Sequence, residues 1–317
     1  VLGRGYVLAA ERFVVAVGAA NMDIAGSSPH TLAPGDSTPG RIRCAPGGVA
    51  RNVAENLARL GRDVRLVSAV GDDLYGTTLL AHTRRAGVDV QACQVLAGQA
   101  TSTYLALHGP DGDMVLALND MDILAQLTPE RLAASAGWLR HAGAVVLDCN
   151  LPEPTLDWIV AQSGDTPLFA EPVSAFKCVR LRPWLARIHT VKANRLEAQA
   201  LTGLAVDDDA GVVEAARWLH AQGVQQVVLS LGARGLFWSA SEGDSGWQPA
   251  LPPAQVVSTT GAGDAVMAGL LHGFLGGATL RDAAVFAAGC AALTLGTTQA
   301  NHPNLSEAAV RQLLQAL

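Results

Sequence analysis

Short apolar runs, each followed by a stretch of helical periodicity, recur along most of this chain, and that alternation constrains the fold more than any other feature. A strand that leads through a helix to the next strand is a β-α unit. Stacked units give a mostly parallel sheet, buried on both faces, whose strands read as nearly continuous Val, Leu, Ile and Ala. The pattern predicts strands at Phe13–Gly18, Val64–Ala69, Ala144–Asp148, Pro167–Ala170, Ile188–Lys192 and Gln226–Ser230. Val53, Leu57 and Leu60 fall at i, i+4 and i+7, the stripe of a helix that stops at Gly61. Met267, Leu270, Leu271 and Phe274 repeat that spacing before Gly276-Gly277, and Ser306–Leu317 opens with a helix cap.

Two stretches break the alternation. Asp23–Cys44 is rich in Gly, Pro and Ser, and Val95–Leu118 alternates polar with apolar around Gly109-Pro110-Asp111-Gly112. Both read as short antiparallel strands forming a small flap beside the main sheet. With 317 residues, half of them apolar, the chain reads as one unit over 1–317, with flap segments at about 23–44 and 95–118. Val1–Ala10 reads as a tail outside the core.

Charge and motif content exclude several classes. With 22 Lys and Arg against 28 Asp and Glu, the net charge is −6, so no broad basic field attracts nucleic acid or an acidic membrane. Any bound phosphate is therefore held by local features. The cysteines (Cys44, Cys93, Cys149, Cys178 and Cys290) are odd in number and never spaced C-x-x-C, which points to free thiols in the cytoplasm. Phe13–Ala20 is too short to span a bilayer. The first strand is not followed by G-x-G-x-x-G, and no G-x-S-x-G elbow occurs. Gly71–Thr78 has P-loop glycine spacing, but Thr77 stands where the lysine is needed.

Three segments carry chemistry. Ser258-Thr259-Thr260-Gly261-Ala262-Gly263-Asp264 runs directly into a predicted helix, so small residues let a ligand approach while the first helical amides point outward at the positive end of the dipole. Asp264 in that turn could accept a proton from a hydroxyl attacking phosphorus; read alone, the string equally fits an Asp that caps a helix. Gly47-Gly48 opens the Val53–Leu60 helix, and Asn52 one turn in can bond vicinal hydroxyls; read alone, this is more often a tight turn followed by a polar helix face. Asn21-Met22-Asp23 ends the first strand, where open α/β sheets gather ligands, although an isolated Asp there also suits a turn.

Together, the early Gly47-Gly48 with Asn52 and the late Gly261-Ala262-Gly263-Asp264 resemble the paired signatures of the ribokinase-like, phosphofructokinase-B-type carbohydrate kinases. The resemblance spans essentially the whole chain and includes Gly71-Asp72-Asp73, Lys192-Ala193-Asn194-Arg195-Leu196-Glu197 and Ser230-Leu231-Gly232-Ala233-Arg234-Gly235. It implies a three-layer α/β sandwich with a small β lid, ATP as phosphoryl donor and Mg²⁺. By resemblance, Asp264 is the general base and the Gly261, Ala262 and Gly263 amides form the anion hole. Asn21, Asp23, Gly47, Gly48 and Asn52 match acceptor-binding positions. Asn194 and Glu197 match an N-x-x-E motif that helps hold magnesium, with Asn194 also on the nucleotide beside Ser230, Gly232 and Gly235. The flap segments match the lid, through which some members dimerise.

Within the family, the segment Ala20–Gly26, the segment Gly40–Arg43, Leu118-Asn119-Asp120-Met121, Asp148-Cys149-Asn150 and the segment Glu171–Cys178 resemble the branch that phosphorylates pseudouridine. That resemblance implies transfer from ATP to a ribose 5'-hydroxyl, with Thr101, Ser102, Thr103 and Asn119 as partners for the uracil edge; each of these is equally an ordinary strand polar residue. The alternatives are a kinase of the same fold for another nucleoside or a free sugar, and a binding protein without turnover. Many members carry Asp where this chain has Ser258, and that Asp helps build a K⁺ site. Here K⁺ would have only a hydroxyl and backbone carbonyls.

Overall fold

A computed structural model describes residues 13–316; the predicted tail, Val1–Ala10, lies outside the described residues. In chain order the strands and helices begin with β1 (Val14–Val17), β2 (Asn21–Ser27), β3 (Arg41–Gly47), α1 (Val49–Arg59), β4 (Val64–Val67), β5 (Ala69–Gly71) and α2 (Leu74–Arg85). There follow β6 (Gln94–Leu96), β7 (Thr103–His108), β8 (Met114–Asp120), α3 (Pro129–Leu132), α4 (Ala136–His141), β9 (Ala144–Asp148), α5 (Glu153–Gln162) and β10 (Leu168–Glu171). The chain then forms β11 (Ile188–Asn194), α6 (Arg195–Thr202), α7 (Asp209–Ala221), β12 (Gln226–Ser230), β13 (Leu236–Ala240), β14 (Ser245–Gln248), α8 (Ala262–Leu275), α9 (Leu280–Thr294) and α10 (Glu307–Gln315).

Eight strands make the main sheet in the order β14-β13-β12-β11-β10-β9-β1-β4. It is parallel from β4 to β12; β13 pairs antiparallel with both β12 and β14, so among the described strands of this sheet β13 alone runs against the rest. Alternate residues of β1 explain why its sequence is apolar throughout. Val15 and Val17 enter one apolar layer with Leu156 and Ile159 of α5 and Val212 of α7, while Val14 and Ala16 enter another with Leu57 of α1 and Met267 of α8. A strand covered on both faces has no polar side to show. The result is a helix–sheet–helix sandwich, the architecture that the resemblance implies.

A second, four-stranded sheet has the order β3-β2-β7-β8 and stands off the main one. It contains the two predicted flap segments, with two corrections. β2 and β7 pair in parallel, because the chain returns to β7 through α2 in the same direction. The segment from Val95 does not join this sheet at its start. β6 pairs with β5 instead, since the chain just before it already runs beside β4 through an Arg65–Asp89 bridge. Among the described residues no helix is long and apolar enough to cross a membrane.

Candidate functional site

The parallel strands all end along one edge of the main sheet: Asp148 closes β9, Glu171 closes β10, Asn194 closes β11 and Ser230 closes β12, with Asn194 and Ser230 in register. At that edge β1 passes into β2 through Gly18, and α1 and α8 begin. Open α/β sheets bind ligands at such an edge because backbone amides and helix N-termini converge there.

Both helices start at a glycine that no other residue replaces cheaply. Gly48 caps α1 at φ 100°, and an added Cβ would fall 2.4 Å from the Ala19 carbonyl oxygen. Gly261 caps α8 at φ 79°, and a Cβ there would fall 1.9 Å from the Ala300 carbonyl oxygen. The first intrahelical bond of α8 runs from the Ala265 amide to Gly261 O at 2.9 Å, so the amides of Ala262, Gly263 and Asp264 precede the helical ladder. That of Ala262 makes one long contact, 3.4 Å to Thr259 O.

The two helix starts touch. Asn52 Nδ2 donates to Asp264 Oδ2 at 2.7 Å, which joins the early and late motifs directly. Burial pushes the Asp264 carboxyl up to about 6, against the opposing pull of Lys192, the Asn52 hydrogen bond and Arg51. Lys192, a charged residue inside the largely buried β11, donates to Glu171 Oε1 at 2.8 Å and Oε2 at 3.0 Å. Burial by itself would discharge this ammonium; Glu171, Glu197 and Asp264 more than offset it, so its pKa lies above the ordinary lysine value. Its Nζ sits 2.8 Å from where a Cβ on Gly263 would be, against the start of α8.

Asp23 stands on β2 with its carboxylate packed on Gly47 of β3, where an added Cβ would approach it to 2.3 Å. Asn21 Nδ2 donates to Asp23 Oδ1 at 2.6 Å, and burial raises the Asp23 pKa. Beneath this pair lies Asp148, fully buried. Its Oδ2 accepts the amides of Ala19 at 2.8 Å and Ala50 at 3.1 Å, and its Oδ1 accepts that of Asn150 at 2.9 Å. Burial raises its pKa although all three donors favour the carboxylate.

Asn21, Asp23, Gly47, Gly48, Asn52, Gly261, Ala262, Gly263 and Asp264 are thus brought together at one edge of the sheet by the Asp23–Gly47 packing and the Asn52–Asp264 bond. Ser230, Gly232 and Gly235 line the turn from β12 to β13, where φ is 61° at Gly232 and 94° at Gly235. Asn194 and Glu197 are joined in a reciprocal cap: Asn194 Oδ1 accepts the Glu197 amide at 2.9 Å, and Glu197 Oε2 accepts the Asn194 amide at 2.8 Å. Thr101 is committed to structure, with its hydroxyl donating to Asp73 Oδ1 at 2.6 Å and accepting the Gly71 amide at 2.9 Å. Ser102 Oγ is buried without a partner among the described residues, and Thr103 starts β7 opposite Met22. Asn119 is exposed on β8 opposite Tyr104, two strands away from Asp23.

Sequence reasoning assigned no role to Arg51, Asp148, Glu171, Lys192 or Asn301, all buried here. A signal existed for two of them: a lysine within a strand expected to be buried in the parallel sheet and an acid closing the apolar β10 are each costly to bury alone, which implies a pair.

Residues 11–307 match the family model described as pfkB family carbohydrate kinase. The chain is 43% identical over 303 residues to the pseudouridine kinase of Escherichia coli (strain K12), covering 96% of both chains. It is 45% identical over 304 residues to an uncharacterized sugar kinase, YeiI, of the same organism, covering 96% of this chain and 84% of that one. In fold it superposes on the ribokinase of Arabidopsis thaliana complexed with ribose and ATP, with a TM-score of 0.86 at 22% identity, over 96% of this chain and 99% of the other.

Proposed function

Because the chain belongs to the pfkB family of carbohydrate kinases, we propose that this ATP-dependent kinase phosphorylates the 5'-hydroxyl of pseudouridine, giving pseudouridine 5'-phosphate and ADP. The observation that carries this reading is the 2.7 Å bond between Asn52 and Asp264, which sets an acceptor-binding amide against a carboxylate at the start of a helix. Asn21, Asp23, Gly47, Gly48 and Asn52 bind and orient the ribose. Asp264 takes the proton of the 5'-hydroxyl as its oxygen attacks the γ-phosphorus in line, and no phosphoenzyme forms. The amides of Gly261, Ala262 and Gly263 receive the charge on the γ-phosphoryl oxygens.

Asn194, Ser230, Gly232 and Gly235 lie along the nucleotide. Magnesium fits only loosely to protein, since Glu197 spends Oε2 and Asn194 spends Oδ1 on their mutual cap, and among the described residues no cluster of three His, Cys, Asp or Glu could hold a metal ion. The donor set suits an ion held mainly by phosphate and water with Glu197 at its edge; when bound, it neutralises phosphate charge. Ser258 Oγ accepts the Thr260 amide at 3.2 Å and keeps a second lone pair, so K⁺ would have an uncharged hydroxyl and carbonyl oxygens but no carboxylate from this position. We expect omitting K⁺ to change kcat less than ~3-fold, measured with tetramethylammonium as the replacement; strict dependence would show a carbonyl-built site.

The four-stranded sheet acts as the lid that excludes water, with Ser102 Oγ, Thr103 and Asn119 available to the base and Thr101 holding the hinge side. Its outer strand β8 exposes Met114, Val115, Leu116 and Leu118, an apolar edge suited to pairing with a second copy. The reaction belongs in the cytoplasm, where ATP is available.

A kinase for another nucleoside or a free sugar remains the second reading, on the strength of the comparable identity to YeiI. Initial rates with pseudouridine, uridine, adenosine and ribose at equal ATP distinguish the two. We expect pseudouridine to exceed the others at least ~10-fold in kcat/KM, and a preference for ribose or adenosine overturns the assignment.

A further inference from the structure

We propose that Arg51 is a positioning residue for phosphoryl transfer, its buried guanidinium fixing the side-chain amide of Asn52 so that Nδ2 faces Asp264. The guanidinium is 1% exposed and bound from several sides. Its Nε donates to Gly47 O at 2.8 Å, one terminal nitrogen donates to Glu55 Oε2 at 2.5 Å, and the other to Asn301 Oδ1 at 2.6 Å and to Pro46 O at 3.2 Å. That last nitrogen also donates to Asn52 Oδ1.

An asparagine amide has one accepting end and one donating end, and its neighbours decide which way it points. Arg51 carries only donors, so the end of Asn52 that meets it is the oxygen. The nitrogen then faces the other way, 2.7 Å from Asp264 Oδ2. Released from Arg51, the amide could turn its oxygen toward the carboxylate, where two acceptors repel. Asn301 completes the bracket: its Nδ2 donates to the Asn52 carbonyl at 2.8 Å while its Oδ1 holds Arg51. Asn301 lies beyond α9, so Arg51 ties the acceptor side of the cleft to the segment that also packs its Ala300 carbonyl against Gly261. Lysine could keep the charge of Arg51 but not its planar fork.

The inference rests on Asp264 being the base. Charged and polar groups face Asp264 from four elements: Asn52 and Arg51 on α1, Asp148 on β9, Glu171 on β10 and Lys192 on β11. Arg51→Lys leaves the sign of every charge in that set unchanged and removes only the fork.

The test is a double-mutant cycle on the full chain, reading kcat, KM for the acceptor, the pH profile of kcat and the melting temperature. We expect Arg51→Lys to lower kcat by ~10–100-fold and to move the acid limb of kcat to higher pH, because a carboxylate without the Asn52 donor holds its proton more tightly. In an Asn52→Ala background the same substitution should lower kcat less than ~3-fold further, since a residue that acts through Asn52 has nothing left to position. A folded Arg51→Lys protein with full kcat overturns the proposal, as does an equal loss in both backgrounds. If Arg51→Lys does not fold, Asn301→Ala decides. A lowered kcat with the same upward shift of the acid limb supports the bracket, and an unchanged kcat and limb overturns it. Near-normal turnover in Asp264→Asn removes the base itself; loss of turnover there, with additive Arg51 and Asn52 effects, removes only the Arg51 link.

Discussion

Asp264→Asn is expected to lower kcat by ~10²–10⁴-fold while changing the acceptor Kd by less than about threefold, measured by steady-state kinetics and by calorimetric titration of the nucleoside. The substitution is nearly isosteric, and an asparagine at 264 can turn its own oxygen to the Asn52 amide, so the 2.7 Å contact and the helix start survive. What disappears is the proposed proton acceptor. The pH dependence carries the same signature. Because burial pushes the Asp264 carboxyl up to about 6, it is protonated and inactive as a base below that pH and free to accept above it. Wild-type kcat/KM should therefore rise through pH 6 to a plateau. Near-normal turnover in the mutant, or an acid limb near the ordinary aspartate value, refutes the assignment.

The second large effect is expected at Gly261. Gly261→Ala should lower kcat by ~10²–10³-fold, the scale seen when an anion-stabilising donor is displaced. The added methyl would have to occupy φ 79° and sit 1.9 Å from the Ala300 carbonyl oxygen, a backbone atom that cannot swing aside as a side-chain end can. Either the start of α8 or the segment around Ala300 must move, and both carry residues of the candidate site. Left-handed strain by itself costs ~1–2 kcal/mol, so the melting temperature should fall by several degrees. Gly277→Ala separates the two contributions. Gly277 has φ 74° on the turn from α8 to α9, with open space around its Cα, so that variant should lose stability and keep its kcat. If both variants lose turnover equally, the effect at Gly261 is general destabilisation and the anion hole lies elsewhere.

Much of the fold was legible because a doubly covered parallel strand must be apolar at every position. Ala144–Asp148 and Gln226–Ser230 match their predicted bounds, and the helix begun by Gly47-Gly48 ends at Arg59, before Gly61. The parallel pairing of β2 with β7 was not legible, since an alternating strand of a half-covered sheet looks alike in either direction. The attachment of β6 to β5 was hidden for a similar reason: three residues carry no pattern, and a single bridge from Asp89 fixes where the segment runs.

In the candidate site, Asn52 and Asp264 stand out in sequence because glycines precede each of them, and a glycine before a helix exposes amides whatever the tertiary context. The contacts of Arg51 with Asn301 are of another kind. They join residues 250 positions apart, and an arginine on an amphipathic helix ordinarily faces water. Thr101 shows the converse. Its place on or beside the lid suggested contact with a base; in the structure its amide and hydroxyl both bind Asp73, the cap of α2.

The carboxylate of Asp148 has a consequence for attempts to change what this enzyme accepts. One oxygen atom receives the main chain both of the turn ahead of β2 and of the entry to α1, so the span between the two segments proposed to bind the acceptor is gauged from a single interior point. Redrawing the residues around Asp23 and around Asn52 as separate loops would leave that gauge untouched, and both redesigned halves would return to the original separation. Widening the mouth for a bulkier guest therefore begins at position 148, in the interior, where no guest reaches.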